Sequence, residues 1–172
     1  MDGRETTMNR NGNALPWLLL SAVVIALDQW TKHLALANLQ PFEPHVVIAG
    51  LLDWTLAFNS GAAFSFLAGG DGWQRWLFAA LAIGVSTVLA VWLARLARGD
   101  WRNAAPLALI IGGALGNLVD RLRLGHVVDF IDVHLGSAHW PAFNIADSAI
   151  SVGAVMLIAF GLGSGQRRGK HG

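Results

Sequence analysis

Four apolar stretches with few or no charges divide the chain, and each has nearly the length that crosses a bilayer. They cover about residues 15–37, 76–94, 104–121 and 148–163. A membrane-spanning helix needs roughly 20 mostly apolar residues, so these stretches predict transmembrane helices. The third stretch has the shortest uncharged run, and we expect its helix to continue through Asp120 and Arg121. The pattern therefore predicts four spans.

The two longer connections between these stretches have different patterns. Residues 40–72 contain β-prone runs at 46–48 and 51–58, broken by Ala49 and Gly50, and predict a small hairpin or sheet on the membrane surface. Residues 122–144 contain Gly125, Gly136 and Pro141, which exclude one continuous helix. The predicted fold is one domain, residues 1–172, of a mainly α integral membrane protein with a small extramembrane β-sheet and loop.

Composition and charge distribution support this fold and orient it. Of 172 residues, 54% are hydrophobic and 13% are charged, which is too apolar for an ordinary soluble domain. Residues 34–74 contain no Lys or Arg, whereas cations precede the first span, fill the second connection and close the chain (Arg4, Arg10, Arg95, Arg98, Arg102, Arg167, Arg168, Lys170). Because cytoplasmic loops are enriched in cations, both termini are expected in the cytoplasm and residues 40–72 and 122–144 on the outer face.

The N-terminal stretch also permits a secretory signal peptide, with small residues at 35–37 resembling a cleavage site. Asp28 and Lys32 interrupt that pattern, and three further spans follow, so we favour the transmembrane interpretation. The chain contains no cysteine, which excludes disulfides, thiolate catalysis and cysteine-bound metals. The net charge of +1 gives no indication of nucleic-acid binding.

Three charged residues in the spans are interpreted as structural. Asp28 and Lys32 lie four residues apart, so on a helix they face each other and offset the cost of burying either charge. Asp120 is placed to pair with Arg121, Arg123 or Lys32. Gly112 and Gly116 have the spacing that lets a neighbouring helix approach closely. Together these residues indicate packing between spans.

Asp129 and Asp147 have no obvious cation nearby, and the pattern places both at the outer ends of spans three and four. Asp147 is expected at a helix N-terminus, where the helix dipole favours the ionised carboxylate. If the two side chains meet, one holds a proton and the other acts as base, as in aspartic proteases. Two unrelated helix caps are the alternative interpretation.

A metal site is a further alternative, because several potential ligands fall within one loop (His126, Asp129, Asp132, His134, His139). Their spacing follows neither of the usual zinc arrangements, and the helical His-Glu-x-x-His motif is absent. We therefore predict no metal and no cofactor.

Five ordered blocks of sequence resemble the bacterial lipoprotein signal peptidase family, also called signal peptidase II. They are Asp28 with Lys32, the Asn-x-Gly-Ala-Ala-Phe block at 59–64, Gly-Asn-Leu-Val-Asp-Arg at 116–121, Val-Val-Asp-Phe at 127–130 and Phe-Asn-Ile-Ala-Asp at 143–147. The resemblance covers nearly the whole chain. It implies an aspartic endopeptidase that removes the signal peptide of a prolipoprotein, cutting before a diacylglyceryl-modified cysteine.

The resemblance also implies roles for individual residues. Asp129 and Asp147 are the expected catalytic pair, and Asp28, Lys32 and Asp120 are supporting. The expected substrate-binding residues are Asn59, Gly61, Asn117, Arg121 and Asn144. The implied partners are the lipid-modified prolipoprotein and membrane lipid, without nucleic acid or metal. The implied location is the bacterial inner membrane, with the active site near its outer face.

Two other classes of function remain open. A small proton-coupled transporter would use Asp28, Lys32, Asp120 and Asp129 as a relay, although spans two and four carry no charge. A structural membrane scaffold would tolerate asparagine in place of either Asp129 or Asp147. Replacing these two aspartates therefore discriminates among the three classes.

Overall fold

A computed structural model describes residues 12–61 and 72–168, with side chains through residue 161. Its four long helices are α1 (Leu18–Asn38), α2 (Trp73–Arg95), α3 (Trp101–Leu124) and α4 (Ile145–Arg168). Four strands form one antiparallel sheet in the order β1 (His45–Ile48), β2 (Leu52–Asn59), β3 (Val127–Leu135) and β4 (Ala138–His139). The mainly helical fold with a small sheet is as expected.

Helix α3 lies at the centre and contacts each of the other three helices. Its small residues permit this: a side chain at Gly112 would overlap Ser21 and Val24 of α1, and one at Gly113 would overlap the backbone of Ala146 in α4. Gly116 faces the carboxylate of Asp28 in α1. The packing interpretation of Gly112 and Gly116 is therefore confirmed, and both face α1.

The surfaces of the outer helices are apolar. Large aliphatic side chains are exposed along α1, α2 and α4, including Leu19, Leu81, Val88, Val155 and Ile158. Soluble proteins rarely expose apolar surface on this scale. Among the described residues, α2 and α3 are long and apolar enough to cross a membrane, and Ile145–Gly161 forms a shorter apolar helix. The count of four spans stays a prediction.

The sheet extends further than the sequence pattern predicts. Strands β1 and β2 match the two β-prone runs, but β3 and β4 come from residues 122–144, for which no strand is predicted. Helix α3 ends at Leu124, Gly125 follows with φ 86°, and the chain enters β3. Asp129 is therefore on a strand, and its predicted place at the end of the third span is wrong. Pairing with β2, distant in sequence, creates this strand.

The sheet packs against the last turns of α1. Leu56, Val128 and Phe130 form a buried apolar cluster with Ala35. Side chains alternate between the two faces of a strand, so Asp129 points away from the face that carries Val128 and Phe130. This packing places Asp129 on the opposite face of the strand, where its carboxyl group meets Asn59 and Asn144.

Candidate active site

Asp129 is buried on β3, opposite Ala57 of β2, and only 2% of its surface is exposed. Both of its carboxyl oxygens accept hydrogen bonds from amides. Asn144 Nδ2 donates to Oδ1 at 2.7 Å, and Asn59 Nδ2 donates to Oδ2 at 3.1 Å. The strand and these two amides hold the carboxyl group in one orientation.

Burial and a neighbouring negative charge change the titration of Asp129. Loss of hydration, followed by repulsion from Asp147, raises the pKa of Asp129 from 3.8 to about 7. Hydrogen bonds from Asn59 and Asn144 and the positive charge of Lys32 act in the opposite direction. The Asp129 carboxyl group is thus able to hold a proton near neutral pH.

Asp147 lies in the first turn of α4, at the helix N-terminus that the sequence predicts. Asn117 Nδ2, from α3, donates to Asp147 Oδ1 at 2.7 Å. The backbone N–H of Asp147 donates to Asn144 Oδ1 at 2.9 Å, which makes Asn144 the side-chain cap of α4. The capping interpretation therefore applies to Asn144 and not to the Asp147 carboxylate.

Asn144 connects the two aspartates. Its Nδ2 approaches Asp129 Oδ1 and also lies 3.2 Å from Asn117 Oδ1, and Asn117 in turn donates to Asp147. The side chain of Asn144 is completely buried, and Asn117 is 6% exposed. Both buried amides are hydrogen-bonded to the carboxyl groups and orient them. Their expected substrate-binding role stays a prediction. A continuous chain of hydrogen bonds through Asn144 and Asn117 thus links Asp129 to Asp147. That the two form one catalytic pair stays a prediction.

Asp28, Lys32 and Asp120 form a buried ionic cluster behind this chain. Lys32 Nζ lies 2.8 Å from Asp28 Oδ2 and 2.8 Å from Asp120 Oδ2. It also donates to Asn117 Oδ1 at 2.9 Å. The predicted pairing of Asp28 with Lys32 is present, and Lys32 is the cation that pairs with Asp120. The cluster therefore contacts an amide of the candidate site directly.

Arg121 and Gly61 meet at the ring of Phe78 in α2. The guanidinium of Arg121 stacks over that ring at 5.2 Å from its centroid, and Arg121 Nη1 donates to the carbonyl oxygen of Asn117 at 3.3 Å. The backbone N–H of Gly61 donates to Asn59 Oδ1 at 2.9 Å, and a side chain at Gly61 would overlap Phe78. The missing side chain of Gly61 thus makes room for Phe78. Residues 62–64 of the same sequence block lie outside the described residues.

The histidines of the loop contribute to the sheet. His139 Nδ1 lies 2.9 Å from Asp132 Oδ1, His134 Nε2 lies 3.2 Å from Asp53 Oδ2, and the two imidazole rings stack at 4.7 Å. Among the residues that the structure describes, no group of three or more histidine, aspartate or glutamate side chains has an arrangement suited to a metal ion. These side chains link β2, β3 and β4.

Two participants were missed by sequence reasoning. Gln29 Nε2 donates to Asp120 Oδ1 at 2.8 Å and to Asp28 Oδ2 at 3.2 Å, so it contacts both carboxylates of the ionic cluster. Phe78 is the ring shared by Arg121 and Gly61. The polar side chain of Gln29 next to Asp28 in an apolar stretch was a usable signal. The sequence around Phe78 offered none.

The chain is similar to known proteins over most of its length. The signal peptidase (SPase) II family matches residues 20–162. A lipoprotein signal peptidase of Xanthomonas campestris pv. campestris (strain 8004) is 57% identical over 162 residues, covering 94% of this chain and 97% of the relative. A lipoprotein signal peptidase of Xylella fastidiosa (strain M12) is 56% identical over 143 residues, covering 83% and 86%.

Two solved structures share this fold. A bacterial membrane enzyme determined by the in meso method at 2.3 Å resolution matches with a TM-score of 0.78 and 28% identity, covering 91% of this chain and 93% of that one. A second, determined at 1.9 Å, matches with a TM-score of 0.76 and 30% identity, covering 87% and 95%. The protein described here belongs to the signal peptidase II family.

Proposed function

We propose that this protein is a lipoprotein signal peptidase that removes the signal peptide from diacylglyceryl-modified prolipoproteins, cutting before the lipid-modified cysteine. Family membership and relatives at 57% identity that carry this name support the proposal. The acyl chains of such a substrate stay in the bilayer, so the scissile bond is presented close to the membrane. A site between membrane helices and a surface sheet suits a substrate of that kind.

Cleavage uses Asp129 and Asp147 as an aspartic pair. The observation that carries this proposal is the hydrogen-bonded chain from Asp129 through Asn144 and Asn117 to Asp147. Burial raises the pKa of both carboxyl groups, that of Asp129 to about 7. We assign the proton to Asp129 and the ionised form to Asp147, which lies in the first turn of α4 where the helix dipole favours a carboxylate. Opposite protonation of two carboxyl groups is what acid–base hydrolysis requires.

The reaction proceeds in two steps. The Asp147 carboxylate accepts a proton from water as the water oxygen bonds to the scissile carbonyl carbon, while Asp129 protonates the carbonyl oxygen. The resulting tetrahedral gem-diol then loses the amine: the C–N bond breaks, Asp147 gives its proton to the leaving nitrogen, and Asp129 recovers a proton from a hydroxyl group. One water is consumed, and both carboxyl groups return to their starting states.

Substrate contacts are assigned to residues at the edge of the pair. Asn59 reaches Asp129 from the end of β2, and Arg121 lies beside Asn117 on the last turns of α3. Both side chains are only partly buried, so they remain available to a bound peptide. Gly61 acts through its backbone and through the space it leaves for Phe78.

The proposed membrane arrangement has four spans, with both termini in the cytoplasm and the sheet on the outer face of the bacterial inner membrane. The cations of the second connection support this orientation, as does their absence from residues 34–74. The exposed apolar side chains of α1, α2 and α4 supply surface for lipid contact.

Replacement of each aspartate tests the mechanism. Asp129→Asn and Asp147→Asn are each expected to lower kcat on a lipidated prolipoprotein peptide by roughly 10⁴-fold, the scale of losing one member of a catalytic unit. The matched control is Asp132→Asn, which makes the same chemical change on the same strand at a residue paired with His139. That variant is expected to keep nearly full activity. Normal turnover by either purified Asp129→Asn or Asp147→Asn protein would refute the aspartic mechanism.

A further inference from the structure

Lys32 contacts side chains that support both aspartates, and it also contacts the side-chain amide that binds Asp147. It is 2% exposed, and its ammonium group has three N–H donors. Three acceptors surround it: Asp28 Oδ2 at 2.8 Å, Asp120 Oδ2 at 2.8 Å and Asn117 Oδ1 at 2.9 Å. All of its hydrogen-bonding capacity is therefore directed at these three side chains.

Two of the three acceptors also accept a hydrogen bond from the backbone N–H of the residue that precedes Asp147 or Asp129. Asp28 Oδ1 accepts the backbone N–H of Ala146 at 2.9 Å, one residue before Asp147. Asp120 Oδ2 accepts the backbone N–H of Val128 at 3.1 Å, one residue before Asp129. The Lys32 ammonium group thus orients both Asp28, which supports the Asp147 backbone, and Asp120, which supports the Asp129 backbone.

The third acceptor controls an amide orientation. Asn117 Oδ1 accepts from Lys32, and the Asn144 amide nitrogen lies 3.2 Å from the same oxygen. A flipped Asn117 would point its NH₂ group at an ammonium and at another amide donor. Its Nδ2 must therefore face Asp147, where it donates to Oδ1 at 2.7 Å. A donor held in this orientation favours the ionised form of the carboxylate that accepts it.

We propose that Lys32 is a positioning residue that sets both aspartates and, through Asn117, keeps Asp147 ready to accept a proton. The inference rests on the proposed aspartic mechanism. It adds the side chain that makes the two carboxyl groups differ in protonation. Other charged groups with an electrostatic influence on Asp147 are Asp28 of α1 and Arg121 of α3, and Asp147 in turn influences Asp129. Lys32 differs from them because it donates to the side-chain amide of Asn117, which in turn binds Asp147.

Gln29 provides a matched control from the same helix. It donates to Asp28, to Asp120 and to the carbonyl oxygen of Gly116, so it ties α1 to α3 as Lys32 does. Among the described residues it makes no hydrogen bond to Asn117. Lys32→Met and Gln29→Met therefore both weaken the ionic cluster, but only Lys32→Met releases the amide.

The experiment compares purified full-length variants in detergent on a lipidated prolipoprotein peptide. For Lys32→Met we expect kcat to fall about 100-fold, the scale of a small misplacement at a reacting centre, with KM changed less than about threefold. We also expect the acid limb of the kcat profile to move to higher pH, because Asp147 loses a support of its ionised form. Gln29→Met is expected to lower the melting temperature while keeping the wild-type pH profile.

Loss of folding is controlled by a double variant. Lys32→Met leaves Asp28 and Asp120 without their cation, whereas Lys32→Met with Asp28→Asn keeps the net charge of the cluster at −1, because one positive and one negative charge are removed together. The double variant is expected to fold and still show the shifted acid limb.

A folded Lys32 variant with wild-type kcat and pH profile would overturn the inference, as would the same shift in Gln29→Met. If Asp147→Asn is inactive in parallel, the aspartic mechanism stands without a role for Lys32; if it is active, the mechanism itself fails.

Discussion

Amide side chains determine how the two carboxyl groups are held. Asn59, Asn117 and Asn144 each donate to Asp129 or Asp147, and Asn144 also caps the helix that carries Asp147. An amide can orient a carboxylate without neutralising it, whereas a direct cation would hold both aspartates ionised. The buried cation Lys32 lies behind Asn117, to whose Oδ1 it donates. The arrangement allows one carboxyl group to keep its proton.

Asn59 gives a pH-dependent prediction. In the proposed mechanism Asp129 acts as an acid only while protonated, so activity is expected to fall as pH rises through its pKa of about 7. The hydrogen bond from Asn59 lowers that pKa, so its removal raises the pKa further. In Asn59→Ala the basic limb of the kcat profile is therefore expected to move to higher pH, with kcat at neutral pH about tenfold lower, the scale of one lost hydrogen bond.

The control for this variant is Asn38→Ala, at the end of α1, where the side chain donates to the carbonyl oxygen of Leu34 outside the site. Both limbs of its kcat profile are expected to match the wild type. An Asn59→Ala profile whose basic limb stays in place or moves to lower pH would contradict the assignment of Asp129 as the acid.

At the scale of elements, α3 and β3 determine the geometry of the site. Helix α3 carries Asn117, Asp120 and Arg121 on its inner face, and its glycines let α1 and α4 approach closely enough for those side chains to reach their partners. Strand β3 presents Asp129 to this face because β2 pairs with it and α1 covers its other side. Close helix packing is thus a requirement of the site.

Gly113 tests this requirement. A methyl group there would overlap the carbonyl oxygen of Ala146 and crowd Ile150, pushing the first turn of α4 away from α3. Gly113→Ala is expected to lose about 2 kcal/mol of unfolding free energy, as overpacked sites do, and to lose activity with it. Gly84→Ala, in the interior of α2 with open space around it, is the control and is expected to be neutral or slightly stabilising. Thermal melting and turnover of both variants measure the difference, and equal melting temperatures would argue against tight α3–α4 packing.

The helices and the first hairpin were accessible from local patterns, and the second half of the sheet was not. Residues 127–135 contain Asp129, Asp132 and His134 among apolar residues, and without knowledge of β2 that mixture shows no clean alternation. The link from Lys32 to Asn117 was likewise hidden, because it joins side chains of α1 and α3 that are 85 positions apart. Contacts of this kind depend on tertiary packing, which short-range periodicity does not encode.

For the whole molecule, the central question is its orientation in the membrane. The absence of cysteine makes labelling of single introduced cysteines clean. Leu135→Cys, at an exposed position of β3, is expected to react with a membrane-impermeant maleimide in spheroplasts. Arg98→Cys, exposed between α2 and α3, is expected to react only after permeabilisation. The reverse pattern would invert the proposed topology, and equal labelling of both positions would contradict a membrane between them.

Hydrophobic periodicity, the distribution of arginine and lysine, and five ordered blocks were sufficient to predict the membrane class and the family. The same blocks also singled out Asp129 and Asp147 as the candidate catalytic pair. Each of these features lies within a short segment. The hydrophobicity of one stretch decides whether that stretch can enter a bilayer, and each block is recognised from its own consecutive residues. Packing alone decided that Asp129 lies on a strand, that Asn144 joins it to Asp147 through Asn117, and that Lys32 supports both sides. The physical reason is that buried polar groups must find partners, and those partners come from distant segments that only the folded chain brings together.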